Sequence, residues 1–269
     1  MTSMLVRNKS ELVIIGSLLS FWPVINWYWI RMLDSSDDNF GLLALVTALG
    51  LVFLRRGESR SQVLPVMTIT LLMLVYLISL FLLPPILRAA IAMTLIAVLL
   101  SHIYMGRRMQ PGLWGLLILS LPVMASVQFY LGYPLRWIVG FVAEKLLQLN
   151  GLAVSHSGTV LNWSGGTVSI DAPCSGVKML WFGFYLCFTL ACLYRLSPVR
   201  LVALGTITSV VIVAANSLRA TALFYTESGL IAMPGWAHNG IGIVMFIAAA
   251  ILVVYSANRL NPRVVSCAV

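Results

Sequence analysis

Eight apolar stretches, at about 12–30, 40–54, 64–83, 86–105, 112–131, 175–194, 199–218 and 238–258, dominate the chain, each bounded by charge, Pro or Gly. A hydrocarbon core is crossed by about 20 apolar residues of helix, so the pattern predicts about eight transmembrane helices with short connections. Only 9% of the 269 residues are charged and 60% are hydrophobic, whereas a soluble domain carries roughly 25% charge. The fold class is therefore an all-α integral membrane protein. The second stretch has 15 residues and, at ~1.5 Å per residue, falls short of a ~30 Å core. With no repeat, low-complexity segment or linker, residues 1–269 read as a single polytopic domain.

The formal charge of +9 is scattered as singlets and doublets between apolar runs, which suits orientation in a bilayer better than nucleic-acid binding. Arg7 and Lys9 precede an apolar run too long for a signal peptide, and no small-residue cleavage pattern follows, so it reads as a retained first helix. Taken by alternate connections, Arg7, Lys9, Arg55, Arg56, Arg60, Arg107, Arg108, Arg195, Arg200, Arg259 and Arg263 fall on one side. Arg31, Arg88, Arg136, Lys145, Lys178 and Arg219 fall on the other, with Asp34, Asp37 and Asp38 offsetting the first of them. Eleven against six predicts both termini in the cytoplasm.

Of the outward connections, only 132–174 has room for structure. Residues 135–149 place Leu135, Ile138, Val142, Leu146 and Leu149 along one face, with Arg136, Glu144, Lys145 and Gln148 off it, the pattern of an interfacial amphipathic helix. The following TVLNWSGGTVSID predicts a β-hairpin around Gly165 and Gly166, leading to Pro173 and Cys174.

Charged groups at membrane depth cost about 2.5–3.5 kcal/mol on insertion scales and usually need a partner or a watery cavity. Three outward helix ends supply polar groups that can converge. The sixth helix starts at Asp171-Ala-Pro-Cys174-Ser-Gly-Val-Lys178, the seventh ends at Asn216-Ser-Leu-Arg219, and the eighth opens at His238-Asn239-Gly240. A thiol, a guanidinium and an imidazole are the components of thiol-based acyl transfer. Cys174 at a helix start beside Arg219 has two sources of thiolate stabilisation. Imidazole is the side chain suited to taking up and returning a proton, which makes His238 the candidate for moving it. Arg219 stays charged, which suits an oxyanion. Ser175, Lys178, Asn216 and Asn239 flank these groups and are the candidate substrate contacts.

Each residue taken singly has a plainer reading: Cys174 as packing, Arg219 snorkelling to headgroups, His238 as a cap. Those readings do not explain why all three meet at one boundary on three consecutive helices. Cys187, Cys192 and Cys267 read as packing, with no metal-ligand spacing, so no metal or cofactor is expected. His102 reads as interfacial, and His156 lies in the outer segment. Pro122 is a candidate kink in the fifth helix.

The run Ala172-Pro-Cys174-Ser-Gly-Val-Lys178, followed by Asn216-Ser-Leu-Arg219 and His238, resembles the exosortase/archaeosortase family of polytopic membrane cysteine proteases or transpeptidases. The resemblance spans roughly 168–245, within which 175–245 holds the helices of the site. It implies Cys174 as nucleophile, Arg219 as the positioning or oxyanion-stabilising cation and His238 as acid/base. The chain departs from the pattern at Pro173, which separates Ala172 from Cys174, and at Lys178, where many members have Arg. The resemblance further implies a protein of the inner membrane acting at its outer face. Its partners would be exported proteins with a C-terminal tail of short motif, membrane helix and basic cluster, together with an acceptor nucleophile. Three rival classes are a transporter lined by Arg219 and His238, a polysaccharide-export assembly factor without chemistry, and a membrane acyltransferase using Cys174 on a lipid donor. The clustering of polar groups at one surface, with few ionisable residues at helix centres, argues against the transporter.

Overall fold

The computed structural model of the chain describes residues 14–33, 39–55 and 65–261. Arg7, Lys9, Asp34, Asp37, Asp38, Arg56, Arg60, Arg263 and Cys267 lie outside the described residues. Helical residues 14–20 lead into α1 (Trp22–Leu33), followed by α2 (Phe40–Leu54), α3 (Val66–Leu82), α4 (Pro85–Met105), α5 (Pro111–Leu119) and α6 (Met124–Leu149). Strands β1 (Val154–Ser157), β2 (Val160–Trp163) and β3 (Gly166–Ser169) come next. A 3₁₀ turn (Ala172–Ser175) then precedes α7 (Val177–Leu193), α8 (Pro198–Glu227) and α9 (Ala237–Arg259). The protein is thus a mainly helical membrane protein. By length and hydropathy α4, α8 and α9 are each able to span a bilayer, and α5 with α6 make a fourth if the broken pair counts as one. The apolar helices α2, α3 and α7 are shorter, at 15 to 17 residues.

The chain divides into two compact units: Met1–Val123 with Phe188–Pro198, and Met124–Cys187 with Val199–Val269. In the first unit Tyr76 of α3 and Phe21 pack edge to face at 4.7 Å, over Ala89, Ala92, Leu95 and Leu99 of α4. Pro85 opens α4, where a missing N–H costs nothing. Gly106, in the left-handed region at φ 60, ends it, and the following Arg107 N–H turns back to donate to the Ser101 carbonyl at 3.1 Å. The last carbonyls of α7 are capped from this unit. Gln110 Nε2 donates to Ala191 O at 3.3 Å, Arg55 Nη2 to Leu193 O at 2.9 Å and Arg107 Nη1 to Arg195 O at 3.4 Å. Positive charge at a helix C-terminus meets both the unpaired carbonyls and the negative end of the dipole.

Gly112 and Gly115 let α5 come against the end of α7: a Cβ on Gly112 would stand 2.4 Å from the Cys192 nitrogen and 2.7 Å from the Phe188 carbonyl oxygen. Backbone cannot yield as a side-chain tip can, so Gly112→Ala is expected to destabilise the protein by about 1–3 kcal/mol. A lower melting temperature in detergent would register it, and an unchanged one would refute the close packing.

The second unit departs from the sequence expectations in three places. The fifth apolar stretch is not one helix over 112–131: it breaks at 120–123, around Pro122, into α5 and α6. The amphipathic segment 135–149 is no separate helix but the later part of the 26-residue α6, which continues through Pro134. Proline removes one ladder bond and does not always end a helix. The hairpin belongs to a three-stranded antiparallel sheet of order β1-β2-β3. Val160 pairs with Ser169, Leu161 with Val168 and Trp163 with Gly166. Val154, Leu161, Val168 and Ile170 bury one side of this sheet against Val139, Ala143 and Leu147 of α6 and Phe224 of α8.

Candidate active site

Cys174 sits in the 3₁₀ turn, not in the first turn of a helix as its sequence position predicts; α7 starts three residues later. Its N–H is therefore not free for an anion but donates to the Asp171 carbonyl at 2.9 Å. Gly176 closes the turn at φ 84, a backbone region that L side chains rarely adopt, and a Cβ there would stand 2.7 Å from Asn216 Nδ2. Two long-range amides hold the turn. Asn216 Nδ2 on α8 donates to the Cys174 carbonyl at 3.0 Å, and Gln128 Nε2 on α6 donates to Ala172 O at 3.4 Å. Ser175 Oγ donates to Gln128 Oε1 at 3.2 Å. Ser175 is buried and so builds the turn rather than an open surface.

Arg219 does not end its helix. α8 continues to Glu227, since Leu223 and Phe224 bury in the core and extend the helix beyond the polar residues. The guanidinium stands near enough to the half-buried Cys174 thiol for its charge to act on it. It lies along α9 where Gly242 has no side chain: a Cβ there would be 3.2 Å from Arg219 Nε. That Nε is buried and without a hydrogen-bond partner. His238 is the second residue of α9, one turn before Gly242 and so on the same face. Its Nδ1 is 3.5 Å from Glu227 Oε1. Lys178 and Asn239 are exposed beside these groups.

Burial is the largest influence on the Cys174 thiol and pushes its pKa up. The Arg219 charge pulls it down, while Glu227 and Asp171 raise it further. The net direction is upward, opposite to what a helix start beside an arginine predicts. Thiolate formation here depends on Arg219 opposing burial and two carboxylates.

The structure thus brings Cys174, Arg219 and Glu227 together and sets His238 on Glu227. Two residues were missed in the sequence. Gln128 carried a usable signal, an amide inside an apolar stretch. Glu227 carried none, because a carboxylate in a supposed connection is ordinary. His156 packs away from this cluster, edge to face with Trp137 and over Gly140, with Nε2 buried and unpaired. Among the described residues no three His, Cys, Asp or Glu side chains are grouped to hold a metal ion.

The chain belongs to the transmembrane exosortase family, whose family model matches residues 29–255. No match was found among curated proteins or among solved structures.

Proposed function

We propose that the protein is a cysteine protease or transpeptidase that processes C-terminal sorting tails of exported proteins through a thioacyl intermediate. The observation that carries this reading is the Cys174 thiol within reach of the charges of Arg219 and Glu227, with Glu227 paired to His238. Family membership supports sorting-signal processing, the apolar pattern supports about eight spans, and the lysine and arginine asymmetry across them supports both termini cytoplasmic and the site at the outer face. A substrate anchored by its own helix would present its motif there at high effective concentration.

In the proposed cycle the Cys174 proton passes to His238 and the thiolate attacks the scissile carbonyl, forming a C–S bond. The Arg219 guanidinium, an obligate donor, faces the negative oxygen of the tetrahedral intermediate. Collapse breaks the C–N bond as His238 returns the proton to the departing amine. Water or an acceptor amine then attacks the thioester and frees Cys174. Contact between His238 Nδ1 and Glu227 directs the other ring nitrogen, Nε2, toward this proton transfer.

The test is co-expression with exported proteins bearing candidate tails, in cells lacking other sorting enzymes, with the substrate's intact mass as readout. A shortened product, or one with added acceptor mass, formed only with active protein is expected; no change in substrate mass for any tail would overturn the proposal. Glu227→Gln separates two roles. Losing the carboxylate is expected to slow turnover about tenfold by freeing the imidazole. Removing a negative charge near the thiol should at the same time speed Cys174 alkylation at neutral pH, because its pKa falls. Parallel loss of both rates would show that Glu227 acts only through the fold.

A further inference from the structure

The free edge of β3 lies five residues before Cys174. β2 and β3 are joined by the two-residue loop Ser164–Gly165, so Trp163 and Gly166 close the ladder, and Leu161 and Val168 form the next hydrogen-bonded pair. The bond from Ile170 N–H to the Thr159 carbonyl, at 2.8 Å, continues the same alternation. The N–H and C=O groups of Thr167 and Ser169 therefore point away from β2, and no other strand pairs with β3 among the described residues. Gly166, Thr167 and Ser169 are exposed, while Val168 and Ile170 are buried and anchor the strand to the core that Cys174 also touches.

Sheet edges are commonly blunted by lysine, proline, a bulge or a cover. Gly166-Thr-Val-Ser169 has no charge and no proline. From Ser169 the chain reaches Cys174 within about 17 Å even if fully extended. A peptide laid along this edge therefore ends within that distance of Cys174.

We infer that β3 is the docking strand for the substrate: an extended segment of the exported protein, just before the scissile bond, adds to the sheet beside Thr167 and Ser169. This rests on the function proposed above. Because the residues before the scissile carbonyl must run toward Cys174, they run in the sense of β3, as a parallel fourth strand. Backbone bonds to Thr167 and Ser169 hold the peptide whatever its side chains, and alternate side chains face the protein. Selectivity then comes from what flanks the edge, with Lys178 exposed on α7 as the nearest cation beyond Cys174 in the chain.

The first test is Thr167→Pro, which removes an outward N–H and leaves every β2–β3 hydrogen bond intact. It is expected to lower kcat/KM for tail cleavage about tenfold, as loss of one backbone bond to substrate implies. Alkylation of Cys174 by a small reagent, which needs no bound peptide, should keep its wild-type rate. The second test is independent of that variant's folding. In a Cys174→Ala, Thr167→Cys protein, tail substrates carrying one cysteine at successive positions before the scissile bond are oxidised, and disulfide cross-links are read on gels. Cross-linking at every second position is expected. Wild-type cleavage by Thr167→Pro, or cross-links without alternation, overturns the docking strand while leaving the proposed function standing. Tail processing by Cys174→Ala at the wild-type rate overturns both.

Discussion

Cys174→Ala is expected to lower tail processing on the order of 10⁴-fold or more, because the covalent route vanishes with the sulfur. The substitution is mild for the fold. Asn216 bonds the Cys174 backbone carbonyl, not its side chain, and the Cys174 N–H bond to Asp171 is also retained. The turn therefore keeps its ties to α8, and equal amounts of protein should accumulate in the membrane. Cys174→Ser should be nearly as inactive, since a hydroxyl is far less ionised than a thiol near neutrality and its proton is much harder for His238 to remove. Substrate masses from matched membranes decide the matter. Wild-type processing by either variant would remove Cys174 from the chemistry and return the assembly and transport readings.

Arg219→Ala is expected to cost about 10²–10³ in kcat, the scale of losing a preorganised oxyanion donor. Its second effect has a definite sign. Arg219 is the cation that opposes burial at Cys174, so its loss raises the thiol pKa further, and the thiolate fraction at neutral pH falls about tenfold per pH unit of that rise. The alkylation rate should therefore climb through its midpoint at a higher pH than in the wild type. Arg219→Lys should restore part of the pH profile, because the charge returns, but less of kcat, because an ammonium lacks the planar fork. An alkylation profile that does not move in Arg219→Ala would exclude the guanidinium from thiol activation, and an unchanged kcat would exclude it from the oxyanion.

Much of the fold is legible in one dimension, because apolar length and its punctuation report which segments leave water. The 15-residue α2 (Phe40–Leu54) and the start of α4 at Pro85 fall where charge and proline mark them. Hydropathy measures transfer to lipid, however, not the path of the backbone. It therefore ran one stretch over 112–131, and only Pro122, read as a candidate kink, pointed to the break at 120–123. It also set 135–149 apart from the preceding stretch, although α6 runs from Met124 to Leu149, and stopped α8 at Arg219, eight residues early. In the last case the polar residue sits within the helix beside Cys174, and Leu223 and Phe224 carry the helix on into the core.

The amino-acid sequence by itself determined membrane character and helical secondary structure and put forward Cys174, Arg219 and His238 as the candidate set, since composition, periodicity and residue chemistry are local properties. Tertiary structure alone decided how that set is held and tuned. Gln128 and Asn216 grip the Cys174 turn from 47 and 42 residues away in the chain, and Glu227 meets His238 across a loop. Burial, not the helix dipole, dominates the thiol. Such contacts depend on which helix faces meet, and no local pattern encodes that.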